Sequence, residues 1–326
     1  MARNLIDSFR TDFPDCWRRL PNKGLFFVLL AAWLALFQFL GNSTFGYVDT
    51  PSLMCWMVNA YNSPGSEDGH GNLVPLVVLA LFWWKRKELL AQRLEMWSPG
   101  LALLALALVL HLLGYLVQQP RISTIALFLG IYGLMGLAWG RLWLRASFFP
   151  FFLFVFCVPL GSLAEPLTFR LRLLVSKTVA GLCQHVLAVN VVSEGTNLIN
   201  VPGQYSYEVA AACSGIRSLI ATTAIAVIYA FVAFSKPWKR GVLILSAIPL
   251  AVVGNVFRMM MIVIAAEFGG QEVGAYVHEG GPLGVLALLP YIPPFLGLLA
   301  IGRWFERRMP DAVGPAEVPA ASARTL

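Results

Sequence analysis

Eight apolar stretches dominate this chain, and we interpret each as a helix that crosses a lipid bilayer. A helix spans the ~30 Å hydrocarbon layer with about 20 apolar residues. The chain is 58% hydrophobic and only 13% charged, whereas roughly a quarter of the residues of a soluble domain are charged. The sequence therefore predicts an all-α polytopic membrane protein of about eight helices. The stretches are 24–41, 73–84, 100–118, 123–140, 148–163, 213–235, 241–266 and 283–302.

The basic residues predict the orientation of these helices. The net charge is +7, and most Lys and Arg residues cluster in residues 1–23, in alternate loops and after residue 302. Cytoplasmic loops carry such an excess, which predicts that both termini are cytoplasmic. Short basic clusters between apolar runs do not form a nucleic-acid-binding face. The run 24–41 resembles a retained helix rather than a cleaved signal peptide.

Three parts of the chain follow from this topology. Residues 1–23 form a cytoplasmic segment, 24–302 a transmembrane domain, and 303–326 a cytoplasmic tail that we predict to be disordered. The outer platform, residues 164–212, lies between the fifth and sixth helices. Within it, residues 165–189 have the apolar spacing of an amphipathic interfacial helix. Residues 190–209, rich in Val and Ile around Pro202-Gly203, predict a short β-hairpin.

Cys213 opens the sixth apolar stretch, at the outer face in this topology. A thiol in the first turn of a helix lies near unpaired backbone N–H groups and the positive end of the dipole, which favour thiolate. Arg217 follows four residues later on the same helical face and adds a cation. The alternative is a small buried cysteine that serves packing.

Arg258 lies inside the seventh apolar stretch, where a guanidinium is costly and marks a functional or paired site. Asn255, three residues earlier, shares its helical face and can orient it. Two alternatives remain open: the side chain snorkels to the surface, or it is a structural partner of Glu208 or Glu267.

His278 lies at the outer end of the eighth stretch, where a solvated loop histidine is the alternative. Cys213, Arg258 and His278 come from three consecutive stretches, and the topology places all three at the outer half of the membrane. Together they supply a nucleophile, a fixed cation for an oxyanion and an acid or base. This combination predicts acyl transfer at a peptide bond.

The other histidines and cysteines are weaker candidates. His70 precedes the second stretch and can line the outer cavity of these three residues. His111 lies mid-span, and this position predicts a core histidine bonded to a neighbouring helix. The five cysteines show neither C-x-x-C nor metal-ligand spacing, so no metal or other cofactor is expected. Whether Cys55 and Cys183 pair is left open.

The run Ala212-Cys213-Ser214-Gly215-Ile216-Arg217, followed by Asn255-x-x-Arg258 and His278, resembles the exosortase/archaeosortase family. His70-Gly71, followed by Leu73-Val74-Pro75, is also similar to the N-terminal part of that family. The resemblance covers about residues 45–302.

This resemblance implies a multi-pass cysteine protease or transpeptidase of the inner (plasma) membrane of a prokaryote, with its active site on the outer face. Its substrates would be exported proteins with a C-terminal signal: a Pro-Glu-Pro-like motif, a transmembrane helix and a basic cluster. Cys213 would form a thioester, Arg258 would hold the oxyanion or an acidic side chain of the motif, and His278 would shuttle protons, with transfer to an unknown acceptor. Membrane lipids are the other expected partners.

Two rival functions use Arg258 without a reactive Cys213. One is a transporter or channel in which Arg258 binds an anion, although the sequence shows no inverted repeat and no matched pair of broken helices. The other is a membrane protein of polysaccharide or lipid export in which Arg258 binds phosphate.

Overall fold

The computed structural model describes residues 2–44, 48–64, 66–161, 164–201, 203, 205–208 and 216–309. Side chains are described for most of these, but not for 2–9, 164–165, 167–168, 208, 216–217 and 282–284. Cys213 therefore lies outside the described residues, and the cysteine hypothesis remains a prediction. The chain divides into two compact units, Met1–Pro166 and Leu167–Leu326.

The first unit is built of helices. They are α1 (Ala2–Arg19), α2 (Lys23–Leu40), α3 (Leu53–Asn62), α4 (Val74–Trp84), α5 (Arg86–Leu90), α6 (Gly100–Leu116), α7 (Pro120–Trp139) and α8 (Arg141–Phe152), with 3-10 turns at Gly69–Asn72 and Leu153–Cys157.

The core of this unit lies where α2 packs on α7. Trp33 and Phe37 of α2 are buried there, and the indole of Trp33 donates to the carbonyl of Leu127 at 3.0 Å. His111 of α6 is also buried, with its Nδ1 3.1 Å from the hydroxyl of Ser123 on α7. The prediction of a core histidine bonded to a neighbouring helix is confirmed.

The second unit combines helices with a small sheet. It contains most of α9 (Ala164–Val186), then β1 (Val191–Glu194), β2 (Asn197–Asn200), β3 (Ser206–Glu208), α10 (Ile216–Ala233), α11 (Pro237–His278), a 3-10 segment (Pro282–Tyr291) and α12 (Ile292–Arg308). The strands pair antiparallel in the order β1-β2-β3. A third strand thus extends the region in which we predicted a single hairpin.

The predicted fold class, an all-α polytopic membrane protein, is confirmed. Among the described residues, four helical stretches are long and apolar enough to cross a membrane: Lys23–Leu40, Pro120–Trp139, Pro237–His278 and Val285–Arg308. The last of these joins part of the 3-10 segment to α12. Three shorter apolar helices are Val74–Trp84, Gly100–Leu116 and Ser218–Ala233. The exact number of spans stays a prediction.

Two predicted spans differ from the observed helices. Where one helix was expected over 148–163, α8 begins at Arg141, contains Pro150 and gives way to a 3-10 turn after Phe152. Where one was expected over 283–302, the 3-10 segment precedes α12 and contains Pro290. Proline lacks the N–H that a continuous α-helix needs. The length of the apolar stretch alone therefore overestimated the length of regular α-helix in both places. α12 also continues to Arg308, inside the predicted tail, whose remainder from residue 310 lies outside the described residues.

Candidate active site

The chain reverses direction within α11. Gly270 has φ 76° and ψ −174° inside an otherwise regular helix. A continuous helix would place residues 258 and 278 about 30 Å apart, yet Nη2 of Arg258 lies 3.4 Å from the carbonyl oxygen of His278. A methyl group added at Gly274 would also come within 2.9 Å of Cβ of Ala266. Residues 271–278 therefore form a return helix that packs back along the helix preceding Gly270.

This reversal brings together two of the three residues that we predicted for the site. Arg258 and His278 are both half-buried, and the guanidinium donates to the backbone of the histidine residue. Glu267, considered above as a partner of Arg258, accepts hydrogen bonds from Tyr205 and Asn200 instead. Among the described side chains, it forms no ion pair with Arg258.

The sheet is attached to α11 just before the bend, at Glu267. Its Oε2 accepts hydrogen bonds from the hydroxyl of Tyr205 at 2.8 Å and from Nδ2 of Asn200 at 3.3 Å. Burial, with the hydrogen bond to Glu267 adding to it, raises the pKa of Tyr205 to about 12. The hydroxyl therefore remains a donor at neutral pH.

The sheet is also attached just after the bend, at Gln271. The side-chain amide of Gln271 accepts the N–H of Ser206 at 3.2 Å and donates to the carbonyl of the same residue at 3.4 Å. The hydroxyl of Tyr207 donates to the backbone carbonyl of Gln271 at 2.7 Å. Strand β3, which runs into the segment that contains Cys213, is thus fixed to the return helix that ends at His278.

Apolar packing supports the same attachment. Val175, Val179 and Cys183 of α9 are buried together with Leu198 of the sheet and Ile262 of α11. The hydrophobic burial of such residues contributes more to this contact than single surface hydrogen bonds do. The platform predicted from the sequence therefore packs on the part of α11 that carries Arg258.

The supporting residues are less closely connected to this pair. Asn255 is buried, and its Nδ2 makes no hydrogen bond to Arg258 or to any other described residue. Instead, it lines a cavity of about 10 Å³ between α9, α10 and α11. Arg217 is the second residue of α10 and Glu208 the last of β3, but neither side chain is described. His70 lies half-buried in a 3-10 turn of the first unit.

The buried Cys183 does not resemble a nucleophile. Cys55 and Cys183 are both free thiols. Cys183 is buried, and burial, with Glu267 nearby, raises its pKa to about 11, which keeps it protonated and unreactive. No group of three His, Cys, Asp or Glu residues able to hold a metal ion occurs in the described part of the chain.

A comparison with protein-family models identifies the chain. The model of the transmembrane exosortase family matches residues 56–292, well over half of the sequence. The chain belongs to the transmembrane exosortase family. This is a family of membrane proteases and transpeptidases, and the match covers Cys213, Arg258, His278 and His70. Comparisons with curated proteins and with solved structures find no match.

Sequence reasoning missed the residues that attach the sheet to α11. Tyr205, Tyr207 and Gln271 were not singled out, because hydrogen bonds between a strand and a distant helix leave no periodic pattern. One signal was present: Gly269-Gly270 interrupts an apolar helical pattern, and a glycine pair is a common turn marker.

Proposed function

We propose that this exosortase is a cysteine-dependent peptidase or transpeptidase that cleaves the C-terminal sorting signal of exported proteins. The signal would combine a Pro-Glu-Pro-like motif, a transmembrane helix and a basic cluster. The reaction would take place at the outer face of the plasma membrane of a prokaryote, with both termini of the enzyme in the cytoplasm. A substrate anchored by its own helix would meet the enzyme within the bilayer.

The proposal rests chiefly on the contact between Arg258 and His278. The guanidinium of Arg258 meets the backbone carbonyl of His278, 20 residues later in the sequence, because the chain reverses at Gly270. A fixed cation stabilises an oxyanion, and an imidazole can take up and release a proton near neutral pH. The contact supports a role for both residues in acyl transfer.

In the proposed reaction the Cys213 thiolate attacks the carbonyl carbon of the scissile peptide bond. Arg258 stabilises the oxyanion, and the C–N bond breaks as His278 gives a proton to the leaving amine. The resulting thioester is attacked by an acceptor nucleophile, or by water, which loses its proton to His278. The thiolate is regenerated, and the substrate has exchanged its membrane tail for the acceptor or for water.

The direct test is substitution of Cys213 with Ala, with a co-expressed tail-bearing substrate followed on a gel. Processing is expected to stop, whereas the matched control Cys183→Ala, at a buried and unreactive thiol, is expected to process normally. Unchanged processing by Cys213→Ala would remove the thiol mechanism. Dependence on Arg258 without dependence on Cys213 would favour the anion-binding alternative.

The proposed sidedness has its own test. An impermeant maleimide added to intact cells or spheroplasts should label the exposed Cys55, which the topology places outside, and should leave Cys16 in the cytoplasmic segment unlabelled. Labelling of Cys16 but not of Cys55 would reverse the proposed orientation.

A further inference from the structure

An aromatic groove in the first unit has no role in the proposed reaction. One wall is α7, through Ile125, Phe128, Leu129 and Tyr132, and the other includes Phe152 at the end of α8 and Val158 beyond the 3-10 turn. Its volume is about 290 Å³. Ile125 and Phe152 are both more than 40% exposed, so the groove opens to the outside of the helices.

A cation lies at one end of this groove. Arg121 is four residues before Ile125, on the same face of α7 and one turn closer to its N-terminus. Its Nε donates to the carbonyl of Pro159 at 2.8 Å, next to the groove residue Val158. Its Nη atoms make no hydrogen bond within the described part of the chain. Gly161, with φ +50°, allows the close approach, because a methyl group there would lie 2.8 Å from Nη2.

The dimensions of the groove identify the kind of molecule that fits it. From Arg121 to Tyr132 the helix rises about 16 Å, close to half of the ~30 Å hydrocarbon layer that α7 is long enough to cross. The volume divided by this length leaves a cross-section far smaller than that of a helix about 10 Å wide. A single hydrocarbon chain fits such a space.

We propose that this groove binds one lipid with an acidic headgroup, with its chain along the aromatic walls and its phosphate at Arg121. Arg121 is placed at the membrane surface because α7, a candidate span, begins at Pro120. The positive end of the α7 dipole adds to the attraction for an anion. The site is separate from Arg258 and His278 and does not depend on the proposed reaction.

The test is lipid retention by the purified full-length protein, measured by native mass spectrometry. The protein is incubated with equal amounts of phosphatidylglycerol and phosphatidylcholine of the same chain length. The wild type should retain phosphatidylglycerol about fivefold over phosphatidylcholine, the ratio expected for one basic residue at a membrane surface. Arg121→Gln should bind lipid with a ratio near one. The control Lys177→Gln, at an exposed lysine of α9, should keep the wild-type ratio.

A second variant distinguishes binding of the lipid's hydrocarbon chain from binding of its headgroup. Ile125→Trp fills the groove and should reduce retention of both lipids, with the thermal midpoint showing that the protein is folded. The proposal is overturned if the wild type shows no preference, if Arg121→Gln keeps it, or if Lys177→Gln loses it equally. Displacement of the lipid by a synthetic transmembrane-helix peptide would assign the groove to a helix instead.

Discussion

Replacing Gly270 with Ala tests the reversal of α11 on which the candidate site depends. The backbone at Gly270 has a conformation essentially restricted to glycine. No atom lies within 4 Å of a methyl group added there, so the cost arises from the backbone alone and is about 1–3 kcal/mol. Gly241 in the same helix is equally open but regular, and alanine is expected to stabilise it by about 0.5–1 kcal/mol. The same substitution should therefore lower the free energy of unfolding at Gly270 and raise it at Gly241.

The assay is thermal unfolding of both variants in one mild detergent. At about 2–4 °C per kcal/mol for a chain of this order of size, Gly270→Ala should melt several degrees below Gly241→Ala, with the wild type between them. Processing of a tail-bearing substrate should fall only in Gly270→Ala, because His278 loses its fixed position beside Arg258. If both variants melt at or above the wild type, Gly270 does not hold a positive φ and the reasoning for the return helix fails.

Three other substitutions test further contacts. Gly274→Ala should cost about 1–3 kcal/mol by overpacking, since the new methyl would overlap the Tyr207 hydroxyl. The cost should fall in a Tyr207→Leu background, leaving only the close approach to Cβ of Ala266, and a thermal double-mutant cycle without coupling would contradict this. Asp12→Asn should expose α1 to limited proteolysis at pH 5 and pH 7, because the hydrogen bond from Arg86 lowers the pKa of Asp12 below its usual 3.8. Its stabilising contribution is present above that value and is lost only as the pH falls through the lowered pKa, so wild-type α1 sensitive at pH 5 would refute the contact. Asp68→Asn should destabilise the first unit by about 2 kcal/mol, since its buried carboxylate accepts two backbone N–H groups; an unchanged melting temperature would contradict that role.

The sequence predicted the helices well where apolar length was the deciding property. α2, α6 and α7 follow the predicted stretches within a few residues, because crossing a bilayer demands a minimum run of apolar side chains. The sequence predicted the helices less well where backbone chemistry, rather than apolar length, determines the local structure. Pro290 lies in a fully apolar stretch, so hydropathy does not reveal that residues 282–291 form a 3-10 segment rather than an α-helix.

The candidate site was predicted as a set of residues but not as an arrangement. The energetic cost of a guanidinium inside the membrane singled out Arg258. The order of Arg258 and His278 along the sequence suggested a common site. Read as one helix, however, the same stretch would separate these residues by about 30 Å. Their contact depends on one backbone angle at Gly270 and on side chains such as Gln271 that bind a distant strand, and a pattern of apolar residues records neither. The place of Cys213 in this arrangement stays a prediction.

The return helix has a consequence for the cooperativity of the enzyme. A helix of eight residues is too short to be stable by itself. Residues 271–278 therefore stay helical only through their contacts with the part of α11 before Gly270 and with the sheet. Opening this segment costs the energy of those local contacts rather than the energy of unfolding the spanning helices. We therefore expect a sub-global opening that separates His278 from Arg258 without unfolding the spanning helices.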